Sequence, residues 1–391
     1  MKIVFFAHPL FIGSQSMPRF VNMLAEGMQS HGHEVEVWKP EPLFRNLPVN
    51  GLKKWLGYID QYLVFPQQVK RRIKNNQKDV LYVITDHALG PYVPLVAGLP
   101  HVIHCHDFLA QASAKGVYPQ NVTSATGIKY QAYIHSGYNK GKNFISVSEK
   151  TKTDLAAFLN HQPKRSDVIY NGLNPAFKPL PVASSRAALG EELNLALTQG
   201  YILHVGGNQW YKNRTGVIAI YDQWRKISKH SVPLVLIGEE PSAELVEKCE
   251  ASPYKNDIHF FPGIKDDAVL LAYAGASIFL FPSIAEGFGW PIAEAMAAGT
   301  LVMTTNEAPM LEVAGDAAFL ISGKPVVKEM EEQWAGDAAV VLEKALIMDE
   351  TERKEWLDKG FQQIEKFKLT DALDRIEEIY KEVLAESTIN K

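Results

Sequence analysis

The sequence predicts an α/β protein built from two doubly wound, parallel-sheet domains in succession. Three observations carry that expectation. Short, continuous apolar runs rich in Val, Ile and Phe recur along the 391 residues, and such runs suit strands covered on both faces. Amphipathic helical stretches separate them, which is the βαβ alternation of a parallel sheet. The whole series occurs twice, on either side of a proline-rich junction.

Taken in order, the first-half strands are Lys2–Ala7, Glu34–Trp38, Val80–Thr85, His101–His106, Asn143–Val147 and Asp167–Tyr170. Pro18–Ser30 reads as the first helix, with Gly32 as its stop signal. The junction Asn171–Ser185 (NGLNPAFKPLPVASS) carries three prolines and no helical periodicity, so it reads as the interdomain linker. The second-half strands are Tyr201–Val205, Pro233–Ile237, Ile258–Phe261, Ser277–Phe281, Leu301–Thr304 and Ala318–Ile321. From Asp337 the chain reads as helical to its end, with a last amphipathic segment around Asp371–Ala385. The expected domains are 1–172 and 173–370. Open parallel sheets bind ligands beyond the carboxyl ends of their strands, so two facing domains are expected to place the site in a cleft.

Composition narrows the class. Hydrophobic residues make up 46% and charged residues 21%, the values of a chain with real cores. The net charge of −4 excludes a nucleic-acid coat, and no nucleic-acid partner is expected. The halves differ, however: residues 1–175 hold 19 Lys and Arg against 11 Asp and Glu, and the remainder holds 21 against 33. Two domains with different partners fit that asymmetry. Cys105 and Cys249 are the only cysteines, too few for a disulfide framework and in keeping with a reducing compartment. The opening MKIVFFAHPLF reads as a first strand and not as a secretory segment. No apolar run reaches the ~18 residues of a membrane span. A cytoplasmic protein is expected.

The stretch FPSIAEGFGWPIAEAMAAGT (Phe281 to Thr300) carries the most chemistry. A strand ends at Pro282-Ser283, a glycine-rich turn follows, and Pro291 suits the first position of a helix. The backbone N–H groups of Gly287, Phe288 and Gly289, with the helix N-terminus, form an anion site suited to a diphosphate. Glu286 stands in the turn and Glu294 eight residues on, a little over two helical turns away, so the two do separate jobs. A carboxylate accepts two hydrogen bonds and thereby suits a vicinal diol. Two solvated glutamates would share this spacing; their combination with GFG, Pro and AMAAG favours a site. His101, His104 and His106 crowd one strand beside Cys105 and Asp107. With no second ligand cluster, no metal is expected there.

EGFGWPIAEAMAAG resembles the E-x(7)-E signature of glycosyltransferase family 4, retaining enzymes of the GT-B fold, in which two Rossmann-like domains face each other across a cleft. HVGGNQWYKN (His204–Asn213) is similar to that family's diphosphate-binding strand and loop, and VIYNGLNPAF (Val168–Phe177) to its domain linker. NEAPMLEVAGDAAFLI (Asn306–Ile321) resembles the segment after the second glutamate. HCHD (His104–Asp107) and FISVSEKTKTDL (Phe144–Leu155) resemble acceptor-domain motifs.

The resemblance implies that Glu286 contacts donor-sugar hydroxyls near the reacting carbon and that Glu294 holds the ribose. It implies that Lys212 neutralises the diphosphate and that His106 faces the donor sugar. Gly13, in FIGSQS, would let backbone approach the phosphates or the acceptor. Asn171-Gly172 would belong to the hinge, and Gly263-Ile264 would lie near the nucleotide base. The final helix, about 371–391, would pack back on the first domain. Fixed donors and one cation aimed at a departing diphosphate stabilise the charge it gains, and no metal or other cofactor is needed. One position departs from the family. Many members carry Arg directly after the first Gly of the diphosphate loop, where this chain has Gly207. Either Arg214 or the backbone N–H groups of Gly207 and Asn208 compensate, or stabilisation of the leaving group is weaker.

The expected activity is transfer of a hexose from a nucleotide-diphosphate sugar to a saccharide or lipid-linked saccharide in surface polysaccharide or glycoconjugate synthesis. GDP-mannose is the favoured donor. A catalytically silent nucleotide-sugar-binding subunit and a nucleotide-sugar epimerase are the alternatives on the same fold. A nicotinamide-dependent oxidoreductase is set aside because GSQSMP (Gly13–Pro18) lacks G-x-G-x-x-G. Residues 51–78 interleave Lys53, Lys54, Lys70, Arg71, Arg72, Lys74 and Lys78 with Trp55, Tyr58, Tyr62 and Phe65. That mixture suits peripheral contact with an anionic membrane at its inner face, or a packed helix pair with a solvated charged side.

Overall fold

The computed structural model describes residues 1–13, 16–49, 51–75 and 79–389. The chain divides into two compact units, one of Met1–Tyr170 with Thr370–Lys391 and one of Asn171–Leu369. Each unit is an α/β layer structure around one six-stranded, all-parallel sheet.

The sheet of the first unit comprises β1 (Lys2–Phe6), β2 (Glu34–Trp38), β3 (Val80–Ile84), β4 (His101–Cys105), β5 (Asn143–Ser146) and β6 (Arg165–Val168). Their spatial order is β2-β1-β3-β4-β5-β6. β3, β4 and β5 are buried at every position, as strands covered on both faces must be. Phe6, Trp38, Phe65, Tyr82 and Tyr92 meet ring to ring in its core. The Leu369–Ile389 helix packs on this unit. Tyr380 shares a 2.7 Å hydrogen bond with His104, Glu377 one of 2.6 Å with His33, and Leu373 lies against Gly27.

The sheet of the second unit comprises β7 (Ile202–Gly206), β8 (Leu234–Gly238), β9 (Ile258–Pro262), β10 (Ile278–Phe281), β11 (Val302–Thr305) and β12 (Ala318–Ile321), in the order β12-β11-β10-β7-β8-β9. From its first strand the series runs β7-β8-β9 in one direction and β10-β11-β12 in the other. That is the doubly wound order with its switch point between β7 and β10. In the first unit the switch point lies between β1 and β3. At such a point the loops leaving two neighbouring strands part to opposite faces of the sheet, which opens a crevice at their carboxyl ends.

Several boundaries differ from the sequence reading. β6 is Arg165–Val168 and not Asp167–Tyr170; its exposure is intermediate throughout, so no apolar run marks it. β4 stops at Cys105, which leaves His106 just beyond the strand. The junction is not wholly irregular, because Pro181 precedes a helix, Val182–Leu193, that takes in its last four residues. The C-terminal helices begin at Glu331, before Asp337. Residues 51–75 fold as Lys53–Ile59, a wider π turn over Asp60–Val64, and Phe65–Asn75. Lys78, and Ser14-Gln15 of FIGSQS, lie outside the described residues.

Candidate active site

In the second unit the chemistry gathers at the carboxyl ends of β7 and β10, the two strands of the switch point. β7 ends at Gly206, and a short 3-10 turn, Trp210–Lys212, leads into the helix Arg214–Ile227. Asn213 takes the left-handed conformation at φ +52° and donates its side-chain N–H to Pro282 O at 2.9 Å. Ile284 N–H donates to Tyr211 O at 2.8 Å. The loops after β7 and β10 are thus sewn together, and Lys212 meets Glu286. Its Nζ stands 2.8 Å from Oε1 and 3.0 Å from Oε2, with the side chains only 14% and 8% exposed. The Lys212 ammonium also sits 5.2 Å from the Phe281 ring centroid. The family resemblance implies separate duties for Lys212 and Glu286; the structure holds them as one ion pair.

Past Glu286 the turn reaches Gly289, whose φ of +106° belongs to the region that favours glycine. The Trp290–Ala297 helix follows, with Pro291 one position inside its start and not at the first residue. Phe288 is buried, packed edge-on against Phe367. Gly287, Phe288 and Gly289 therefore lead straight into this helix. On it, Glu294 accepts the hydroxyl of Tyr273 at 3.0 Å. Tyr273 is fully buried, and both its burial and the adjacent carboxylate push its phenol well above the ordinary value, so it stays a donor.

The glycine loop after β7 is tied to Glu239, just after β8. Asn208 N–H donates to Glu239 Oε2 at 2.9 Å, and Gln209 Nε2 to Glu239 Oε1 at 3.2 Å. Arg214 donates one N–H to Asn208 Oδ1 at 2.7 Å and to Glu239 O at 3.1 Å. Arg214 and the Asn208 N–H, two of the groups that would replace the missing Arg, are thus engaged within the protein. Gly238 is required here, since a Cβ at its φ of +148° would stand 2.0 Å from Gly206 O. Gly263, at φ +65°, follows the edge strand β9 and donates its N–H to Gly238 O at 3.2 Å, with half-buried Ile264 next to it. His204 lies under the loop, fully buried. Its Nδ1–H goes to Leu280 O at 2.9 Å, and burial pushes its pKa down to about 3. His204 Nε2, Arg214 Nε, Ser283 Oγ and Trp290 Nε1 are buried without a hydrogen-bond partner among the described residues.

In the first unit, Gly13 has φ +76° and open space where a Cβ would go. His106 is half-buried, its ring edge-on to Phe20 at 4.4 Å, and its Nε2 lies 2.9 Å from Thr85 O. Because a carbonyl only accepts, Nε2 carries the proton and Nδ1 the lone pair. His101 and His104 belong to the scaffold. His101 bonds Leu99 O and accepts Lys142 N–H, and His104 bonds Tyr380. Among the described residues no group of three or more His, Cys, Asp or Glu is arranged to hold a metal ion. One pair went unnoticed in the sequence: His8, just after β1, stands 2.8 Å from Asp86, just after β3. Tyr273, Asn213 and Glu239 were missed as well. Each is an ordinary residue until the strand order brings it to the site.

The comparisons with known proteins agree with this fold. Residues 185–352 match the family described as glycosyl transferases group 1, and residues 17–177 match glycosyltransferase family 4. The chain belongs to the family 4 glycosyltransferases and has their GT-B fold. The O-antigen chain mannosyltransferase B of Escherichia coli is 27% identical over 192 residues; the match spans 48% of this chain and about half, 49%, of that relative. The solved structure of WaaG, a glycosyltransferase involved in lipopolysaccharide biosynthesis, superposes at a TM-score of 0.72 with 19% identity, covering 97% of this chain and 99% of that one. Anabaena HepE in complex with UDP-glucose superposes at 0.70 with 16% identity, covering 98% and 100%.

Proposed function

We propose that this transferase moves a hexose, with GDP-mannose as the favoured donor, onto a saccharide or lipid-linked saccharide, with retention of anomeric configuration and without a metal. The observation that carries the reading is the buried Lys212–Glu286 pair at the switch point, with Glu294 held by Tyr273 on the next helix. A cation, a carboxylate for sugar hydroxyls and a second carboxylate for a ribose diol are the groups that a nucleotide-diphosphate sugar calls for. The mannosyltransferase relative supports mannose as the sugar. Screening GDP- and UDP-sugars for thermal stabilisation tests the donor, because a ligand at 100 times its Kd adds about 2.7 kcal/mol. Stabilisation by UDP-hexoses alone would move the assignment to a uridine donor; no response to any nucleotide sugar would remove it.

The acceptor side points to the inner face of a membrane. Leu52, Trp55 and Leu63 are 49%, 60% and 65% exposed, and Lys53, Lys54, Lys70, Arg71 and Lys74 are exposed in the same stretch of chain. Apolar side chains at headgroup depth with cations above them suit anionic lipid. Among the described residues no helix is long and apolar enough to cross a membrane. Vesicles containing phosphatidylglycerol should sediment the protein, and Lys53→Glu with Lys54→Glu and Trp55→Ala should release it. Equal sedimentation of the triple variant would leave only the solvated-face reading.

A further inference from the structure

We infer that Arg186 and Arg353 form an anion site for a phosphoryl group at the amino ends of β7 and β10. The inference goes beyond the transfer reaction and holds whichever donor sugar the enzyme uses.

The place follows from the order of the second sheet. β7 and β10 are neighbours, and the loops at their carboxyl ends carry the Lys212–Glu286 pair. At their other ends Ser277, directly before β10, donates its N–H to the carbonyl of Tyr201, directly before β7, at 2.9 Å. Two helices each send a guanidinium to Ser277. Arg186, from Val182–Leu193, donates an Nη2–H to its Oγ at 3.2 Å. Arg353, from the Glu350–Ile364 helix, donates an Nη2–H to its carbonyl at 3.0 Å. Gly200 leaves the room for this: at its φ of +97° a Cβ would stand 2.1 Å from Ser277 Oγ and 2.9 Å from Arg186 Nη2.

The charges there are not balanced. Arg186 is fixed by two further acceptors, Gly275 O at 2.8 Å and Thr198 O at 3.4 Å, and both are neutral. Neither arginine forms an ion pair among the described residues. Exposed Glu350, in the same first turn as Arg353, attracts it from beyond ion-pair distance, while Arg186 repels it. Burial pushes both guanidiniums below their ordinary value. Partly desolvated like charges without a paired counter-charge are unfavourable, and an anion bound by both removes that cost. The donors for it are at hand. Arg353 spends only one Nη2–H on the protein, and its Nε and Nη1 groups stay open to solvent.

The chemistry selects the ion. Parallel N–H groups of a guanidinium match two oxygens of a phosphoryl group. That group carries about two negative charges near pH 7, one for each arginine, whereas a carboxylate leaves one cation unmatched. Free phosphate and a sugar phosphate share this chemistry. Lys212 and Glu286 lie at the opposite ends of the same strands, so the bound ion takes no part in the transfer.

Calorimetric titration of the whole protein with inorganic phosphate tests the site. The wild type should bind it, and Arg353→Gln should weaken binding about tenfold or more, as loss of hydrogen bonds to a charged group does. Glu350→Gln removes the opposing carboxylate, keeps both bonds to Ser277, and should tighten binding several-fold. That variant gives the answer even where Arg353→Gln folds poorly. In 1H–15N spectra of the arginine side chains, the Nε–H signal missing from Arg353→Gln should shift as phosphate is added to the wild type. Lys212→Gln should keep both the binding and the shift. Mannose 6-phosphate is the second probe: tighter binding than inorganic phosphate makes a sugar phosphate the natural ion, and equal or weaker binding makes it free phosphate. Either result upholds the site. Absence of binding by both probes, equal affinity for acetate, unchanged affinity in Arg353→Gln and Glu350→Gln, or loss of binding in Lys212→Gln overturns the proposal and leaves the two arginines as ties for the strand ends.

Discussion

At the scale of single residues, the second unit holds two carboxylates in different settings. Glu286 is paired with Lys212 in a nearly solvent-free position, whereas Glu294 has one oxygen tied to Tyr273 and lies on the following helix. Breaking a buried pair from one side costs about 3–5 kcal/mol, so substitutions must keep shape. Glu286→Gln is expected to lower kcat at least about a hundredfold, the range for loss of one group that stabilises developing charge. Its donor KM should stay near the wild-type value. Glu294→Ala should instead raise donor KM about tenfold or more, as loss of a hydrogen bond to a charged group does. Tyr273→Phe should move KM the same way by less. Steady-state kinetics with saturating acceptor separate the two; identical profiles for Glu286→Gln and Glu294→Ala would refute the division.

At the scale of elements, the loop after β7 is clamped by the loop after β8. Glu239 places a carboxylate on Asn208 N–H and Gln209, which is where a diphosphate-binding loop would offer its donors. A diphosphate arriving there must compete with that charge. Glu239→Gln removes the charge and keeps the shape, so GDP should bind several-fold more tightly, with the gain shrinking as salt screens the site. Weaker GDP binding in a calorimetric titration would mean that the clamp organises the loop and does not oppose the ligand. This clamp also shows what a sequence withholds. The strands, the glycine turn and Glu286 and Glu294 were legible because periodicity and short-range spacing are local properties. Glu239 lies 31 positions from Asn208, and Asp86 lies 78 from His8. Such pairs follow from which strands become neighbours, and no local pattern states that order. β6 was misplaced for a related reason: its strand character comes from pairing with β5 and not from an apolar run.

At the scale of the whole molecule, each unit holds a fully buried histidine that contributes to a common response to acid. His104 in the first unit and His204 in the second are fully buried, and burial pushes both pKa values down to about 3 from an ordinary 6.5. Below the ordinary value the unfolded chain binds a proton at each site that the folded chain refuses. Their contribution to stability is therefore complete above pH 6.5 and is lost progressively as the pH falls toward 3. The slope is about 1.4 kcal/mol per pH unit for each group, or about 2 kcal/mol between pH 6.5 and 5. Burial lowers His101 and His106 in the same direction. Asp86 adds a loss of the same sign only once the pH falls below the ordinary carboxylate value of 3.8. Asp222, raised by burial, works the other way as the pH approaches that range. Between pH 6.5 and 5 the histidines thus govern the slope. From His104 and His204 alone, each unit should melt about 4–8 °C lower at the acid end of that window, given the usual 2–4 °C per kcal/mol for a domain of this size. Differential scanning calorimetry from pH 7.5 to 5 reads this directly. His104→Asn should flatten the slope for the first unit and leave that for the second, and His204→Asn should do the reverse. A melting temperature that stays constant across the window would show that these imidazoles ionise within the folded protein.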